Sequence, residues 1–174
     1  MPALIPNRLD LDDDAAIVAL VAANPEWRLE FSSDGHILVS PLTGTATGSK
    51  ELEPGVQLAL FARSAGGKAF GAAAGFRLDD TSLLGPDASW ISSERLAALS
   101  PVDTEPAFWH VCPDVVVEVM SEWDTWKALT EKIDRFERNG ACYAVAVDPE
   151  LRRIYERGTP PAGLEFDFEA IFDA

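Results

Sequence analysis

The residues best placed to do chemistry are acids set in apolar sequence. Pro113-Asp114-Val115-Val116-Val117-Glu118-Val119-Met120-Ser121 is a valine run broken by one carboxylate. Such a run reads as a central strand buried on both faces. An ionised carboxylate there is costly unless it is paired or bound to a metal. Side chains alternate along a strand, so Val116, Glu118 and Met120 share one face. A second acid, Asp87, opens another short strand candidate after Gly85-Pro86. Two carboxylates at the ends of neighbouring strands can converge on a hard divalent cation, which prefers oxygen ligands. Each has a plainer reading when taken singly. Glu118 fits an edge position or an internal ion pair, and Asp87 fits a turn or strand cap. The pair is more specific than either member.

The segment after Glu118 supplies a basic partner. Residues 125–139 read as an amphipathic helix closed by Gly140, with Trp126, Leu129, Ile133 and Phe136 on its apolar face. Lys132 falls about 80° from the centre of that face and Lys127 about 140°. Lys127 is therefore expected in solvent. Lys132 is a boundary residue that can reach inward to the carboxylates; the plainer reading is a lysine snorkelling over Ala128.

Other motifs fail on spacing. Gly44-Thr45-Ala46-Thr47-Gly48-Ser49-Lys50 imitates a phosphate loop, but three residues separate the glycines and Ser49 precedes the lysine. The loop needs four, then Gly-Lys-Ser/Thr. A flexible loop entering a helix is the reading kept. His110 and Cys112 form no recognisable catalytic pair, and no nucleophile elbow, Rossmann fingerprint or zinc-protease motif appears. Cys112 and Cys142 are the only cysteines, without a Cys-x-x-Cys pair, so a zinc ribbon and a redox dithiol both fail. Of the tryptophans, Trp123 and Trp126 stand beside Ser121 and fit either a cleft lining or ordinary packing.

These groups need elements to position them. Asp10 to Asp14 carry acids into an alanine-rich helix that Asn24-Pro25 stops. Residues 27–31 and 36–39 form a hairpin across Asp34-Gly35. A helix is expected from about 50 to 63, with Val56, Leu60 and Phe61 inward and Pro54 in its first turn. Strands are expected at 68–78, 87–91 and 115–120, with a short helix at 93–99 and a proline-bearing loop at 101–110. After the long helix, 142–147 and 152–156 read as a hairpin. The tail at 164–168, with Ile171 and Phe172, is expected to dock as an edge strand. This order predicts an α/β domain with a mixed sheet.

Composition bounds the function. The chain has 174 residues, 29 acidic against 14 basic, for a formal net charge of −15. One domain suffices for that length, and its core needs no disulfide or structural metal. The charge repels bare phosphate backbones and anionic membranes, which argues against a constitutive nucleic-acid binder. It leaves room for an enzyme that meets DNA through a local patch and divalent cations. No apolar run is long enough to span a bilayer and no secretory signal is visible, so a cytoplasmic protein with reduced thiols is expected.

Several stretches together resemble the Uma-two family of restriction endonucleases, within the PD-(D/E)XK nuclease superfamily. They are Asn24-Pro25-Glu26-Trp27-Arg28-Leu29-Glu30, Thr43-Gly44 with Thr47-Gly48, Gly75-Phe76-Arg77-Leu78, and Pro86-Asp87-Ala88-Ser89-Trp90-Ile91. Cys112 to Val119, Lys132, Asn139-Gly140 and Val147-Asp148-Pro149 complete the set, over about residues 10–157. The resemblance implies one restriction-endonuclease-like domain over 1–174. Within it, 1–42 is an N-terminal helix and hairpin extension, 43–157 the nuclease core and 158–174 a tail. It implies a Mg²⁺ or Mn²⁺ site with Asp87 and Glu118 as the acids and Lys132 as the catalytic ammonium. Glu53 is implied as a further metal ligand from the first core helix, and Glu30 as a weaker candidate on the hairpin. DNA is the implied substrate and a homodimer the implied assembly.

The chain departs from the family pattern. The superfamily often has a lysine two residues after the second acid, where this chain has Met120. A Ser-Pro-Ser-like turn is replaced by Ser121-Glu122-Trp123-Asp124. These departures and the charge support a rival reading, a degenerate nuclease fold serving as an oligomerising or regulatory partner.

Overall fold

The structure, a computed structural model, describes residues 13–40 and 43–174. Pro41, Leu42 and the part of the acidic lead-in from Asp10 to Asp12 lie outside them.

That helix, α1 (Asp14–Ala23), starts where Asp13 Oδ1 accepts the amides of Ala15 and Ala16 at 3.0 and 3.1 Å. Such a cap satisfies amides that have no intrahelical partner. The hairpin follows as expected, with β1 (Arg28–Phe31) and β2 (Ile37–Ser40) antiparallel. Next come α2 (Thr45–Ala65), β3 (Lys68–Gly71), β4 (Phe76–Arg77), β5 (Leu83–Leu84) and β6 (Ala88–Ile91). Two short helices, α3 (Ser93–Ala98) and α4 (Pro101–Thr104), lead to β7 (Trp109–His110) and the valine strand β8 (Val115–Val119). The amphipathic helix α5 (Trp126–Arg138) connects β8 to β9 (Tyr143–Asp148). The antiparallel strand β10 (Arg153–Gly158) and the helix α6 (Phe168–Asp173) end the chain.

The strands form two mixed sheets, ordered β2-β1-β5-β4-β7 and β10-β9-β8-β6-β3. In the second, β8 and β9 run parallel, and α5 is their crossover. Alternation along β8 divides its side chains between two cores. Val115, Val117 and Val119 pack with Leu58, Phe61, Ile171 and Phe172 under α2 and α6. Val116 packs with Leu129, Ile133 and Phe136 of α5. Glu118 shares the parity of Val116 and so faces α5. A third core, under α1, joins Ile17 and Leu20 to Leu29, Phe31 and Leu83 of the first sheet. Among the described residues, no helix is long and apolar enough to cross a membrane.

Four expectations are corrected. The first core helix begins at Thr45, so Pro54 lies in its interior. Its inward face is Pro54, Leu58 and Phe61, whereas Val56 and Leu60 are exposed. The buried face is an i, i+4, i+7 set, and the expectation missed it by leaving Pro54 out of the apolar pattern. The expected strand over 68–78 is two strands in different sheets, because the small residues 72–75 let the chain turn between them. The tail is not an edge strand. Asp167 caps α6 by accepting the Ala170 amide at 3.0 Å, and Gln57 exchanges two hydrogen bonds with the Asp167 backbone. Finally, Gly44 to Lys50 is no loop: Gly44 caps α2 and the rest is helix.

The fully buried Ile133 anchors the face of α5 that carries the site. Ile133→Ala should lower the unfolding free energy by about 2–5 kcal/mol. Lys127→Ala, on the solvent face of the same helix, should change it by less than about 0.5 kcal/mol. Urea titrations of both variants measure the difference, and equal effects would contradict this packing.

Candidate active site

Five charged side chains meet where the two sheets approach α5. Arg28 and Glu30 come from β1, two residues apart and so on one face of the strand. Asp87 precedes β6, one residue beyond the Ala88↔Val117 register pair with β8. Glu118 comes from β8 and Lys132 from α5.

They form an alternating line of charge. Asp87 Oδ1 accepts from Arg28 Nη1 at 3.0 Å, and Arg28 Nη2 lies 3.5 Å from Glu30 Oε1. Glu30 Oε1 accepts from Lys132 Nζ at 2.8 Å, and Lys132 Nζ lies 2.7 Å from Glu118 Oε1. That last contact is an ion pair without hydrogen-bond alignment. Backbone groups hold the line in place. The Gly85 amide donates to Glu30 Oε1 at 2.7 Å, and the Gly85 carbonyl accepts from Lys132 at 3.3 Å. The Val119 amide donates to Asp87 Oδ2 at 2.8 Å. Space at Gly85 is tight: a Cβ there would lie 3.1 Å from the Ala74 carbonyl oxygen and 3.4 Å from Arg28 Nη2.

Glu118 is 3% exposed. Burial, reinforced by Asp87 and Glu30, pushes its carboxyl far above the ordinary value of 4.5, although Lys132 and Arg28 pull it back. Burial also works against the Lys132 ammonium, but Glu118 and Glu30 outweigh it and raise its pKa. Arg28 is raised in the same way, by Glu30, Asp87 and Glu118 against its own desolvation.

The line forms the floor of a cleft of about 320 Å³. Glu51 of α2 also lines it, accepts a hydrogen bond from Thr43 and has its pKa raised by burial and then by Asp87. Glu53 does not line the cleft, and its Oε1 accepts from Gln57 instead. The structure thus brings Asp87, Glu118, Lys132 and Glu30 together, and α2 offers Glu51 where Glu53 was expected. Arg28 and Glu51 escaped the sequence reading. Arg28 was legible as the i−2 neighbour of Glu30 on a strand, whereas Glu51 required the right inward face of α2, which is Pro54, Leu58 and Phe61. Met120 packs against the α5 core, so the ammonium comes from the helix and not from the strand.

The donor set suits Mg²⁺ or Mn²⁺. Asp87 and Glu118 present carboxylate oxygens, each with lone pairs beyond its present contact. Among the described residues no group of three His, Cys, Asp or Glu is placed so as to hold a metal ion. Magnesium does not need one, since it commonly takes one or two carboxylates and keeps several waters. Glu30, Asp87 and Glu118 outnumber Arg28 and Lys132 by one charge. Burial first, and that excess after it, displace the Glu118 carboxyl upward, and a bound cation would oppose both.

The raised Glu118 carboxyl sets a pH dependence. A group whose pKa is higher in the folded state contributes stability that is whole below its unfolded value and is lost as pH rises through the folded value. The stability of the wild type relative to Glu118→Gln, measured by urea unfolding in chelator, should therefore fall between about pH 5 and about pH 9. A difference that stays constant over that range would contradict the buried, ionisable carboxylate.

A family model described as "Putative restriction endonuclease", Uma2, matches residues 15–160. The crystal structure of a "putative nuclease" from Anabaena variabilis aligns with a TM-score of 0.64 at 16% identity, covering 83% of this chain and 89% of that one. At that identity the likeness is one of fold, and it agrees with a restriction-endonuclease-like α/β architecture. No curated protein matches the chain. Because the family match runs from the first helix past the last strand and so takes in every residue of the charged line, the chain belongs to the Uma2 family.

Proposed function

We propose that the chain is a metal-dependent endonuclease that hydrolyses DNA phosphodiester bonds. The observation that carries this reading is the Lys132 ammonium, held between Glu118 and Glu30 in the cleft that also contains Asp87.

Asp87 and Glu118 would hold Mg²⁺ or Mn²⁺. When bound, such a cation neutralises charge on the phosphate and makes a water more acidic. Lys132 has its charge fixed by two carboxylates, so it enters the reaction as a permanent cation. It would stabilise the pentavalent transition state or orient the attacking water, at no cost of reorganisation. Glu30 positions that ammonium, and its own orientation is set by the Gly85 amide. Arg28 is 32% exposed on its side chain, against 17% for Lys132, and is the cation nearer the solvent. It would meet a phosphate first and share its negative charge.

The test is cleavage of supercoiled plasmid and of circular single-stranded DNA with Mg²⁺ or Mn²⁺. Wild type should cut, and the metal requirement should be lifted by neither Ca²⁺ nor chelator. Glu118→Ala and Lys132→Met should each lose about 10²–10³ in rate. Cleavage by both variants at the wild-type rate would reject the site, and absence of cleavage by the wild type under all these conditions would reject the activity.

A further inference from the structure

The mouth of the cleft differs in character from its floor. Trp123 and Leu38 line it and remain 63% and 48% exposed, the indole from the turn before α5 and the leucine from β2. The turn that carries Trp123 is pinned. The Trp123 amide donates to Ser121 Oγ at 3.3 Å, and the Ser121 amide and hydroxyl both donate to Asp124 Oδ2, at 3.0 and 2.5 Å. Thr125 then caps α5 by accepting the Ala128 amide at 3.2 Å. A large apolar ring is thus mounted on fixed backbone and left in water.

The rest of the lining bears on which nucleic acid can enter. Around the floor cations Arg28 and Lys132, the carboxylates of Asp34, Glu51, Asp124 and Glu131 outnumber Arg135 and His36, the other basic side chains in the lining. A rigid duplex that lowered one phosphate to the floor would bring neighbouring phosphates of both strands against those carboxylates. Each such approach is repulsive. An unpaired strand bends freely and can lower a single phosphate while its neighbours stay in solvent. Its base also has a free face, which a duplex keeps stacked, and aromatic side chains bind such faces with little regard to sequence.

We propose that the cleft selects an unpaired nucleic-acid strand, stacking one base on Trp123 beside Leu38 while the adjoining phosphate lies over Arg28 and Lys132. This rests on the nuclease reading for its phosphate, but the stack itself requires no cleavage. Trp123 is a specificity-determining residue in this arrangement, and the departure of Ser121-Glu122-Trp123-Asp124 from the family turn acquires a use.

The experiment is fluorescence anisotropy with labelled oligo-dT, oligo-U and a dT·dA duplex of equal length, in Ca²⁺ at low salt. Tryptophan emission is followed in parallel. Oligo-dT or oligo-U should bind at least about tenfold tighter than the duplex, and comparison of the two tells which sugar the cleft prefers. Trp123→Ala should lose about tenfold or more in binding to the single strand and lose the emission quenching, at unchanged thermal stability. Trp123→Phe should keep most of the binding. Equal affinity for single strand and duplex, or a Trp123→Ala variant that binds like wild type, would overturn the proposal. A wild type that stacks oligo-dT yet never cleaves would reject the nuclease activity and leave this inference standing. A wild type that cuts duplex plasmid no less well after Trp123→Ala would do the reverse.

Discussion

Burial of charge is the constraint to which the rest of this molecule is fitted. Taking a carboxylate or an ammonium out of water costs several kcal/mol per ion in a protein, of order 20 in the idealised limit. Here Asp87, Arg28, Glu30, Lys132 and Glu118 are brought together, and each charge meets one or two of opposite sign. The arrangement is tolerable because four members arrive from strands or a helix and Asp87 from the residue just before β6, where the Val119 amide holds it. Removing any inner member would leave a neighbour buried without its counter-charge. The valine strand is informative in that light. Its other positions are as apolar as a buried strand allows, and Glu118 is retained against that background.

The architecture follows from the need to bring opposite charges to one place. Glu118 faces α5 because its parity on β8 is that of Val116, and α5 lies on that face because it is the crossover between the parallel strands β8 and β9. The first sheet must reach the same place, since Arg28 and Glu30 belong to β1. It is anchored under α1 through Ile17, Leu29 and Phe31. Arg77, tied to Asp14, adds a polar link between α1 and β4. The N-terminal hairpin is therefore half of the cleft as well as an extension of the chain.

Legibility in the sequence followed the length and regularity of the elements. Alternation along 115–119 and the 3.6-residue period along α5 are strong local signals, so the orientations of Glu118 and Lys132 could be read directly. Glu53, expected from the resemblance alone, lies on α2 outside the cleft lining and accepts from Gln57. Val56 and Leu60 read as inward when the proline, placed in the first turn, is left out of the buried face that it shares with Leu58 and Phe61. Arg28 carried no local signal beyond its spacing from Glu30, because its partner Asp87 is 59 positions away. The short strands β4, β5 and β7 have two residues each, too few to show any period, and they exist through pairing across the sheet.

The separations within the charged line bear on how the molecule assembles. Glu30 and Lys132 are 102 positions apart, and Arg28 and Asp87 are 59 apart. Contacts of such long range form only after the intervening loops have closed. Until then each of these side chains is hydrated and carries little penalty. The desolvation of Arg28 and Glu30 waits for β1 to dock, whereas Glu118 and Lys132 belong to one local β8-α5-β9 unit. The charged line is therefore complete only once the N-terminal hairpin has docked, which makes closure of the longest loops a condition for chemistry.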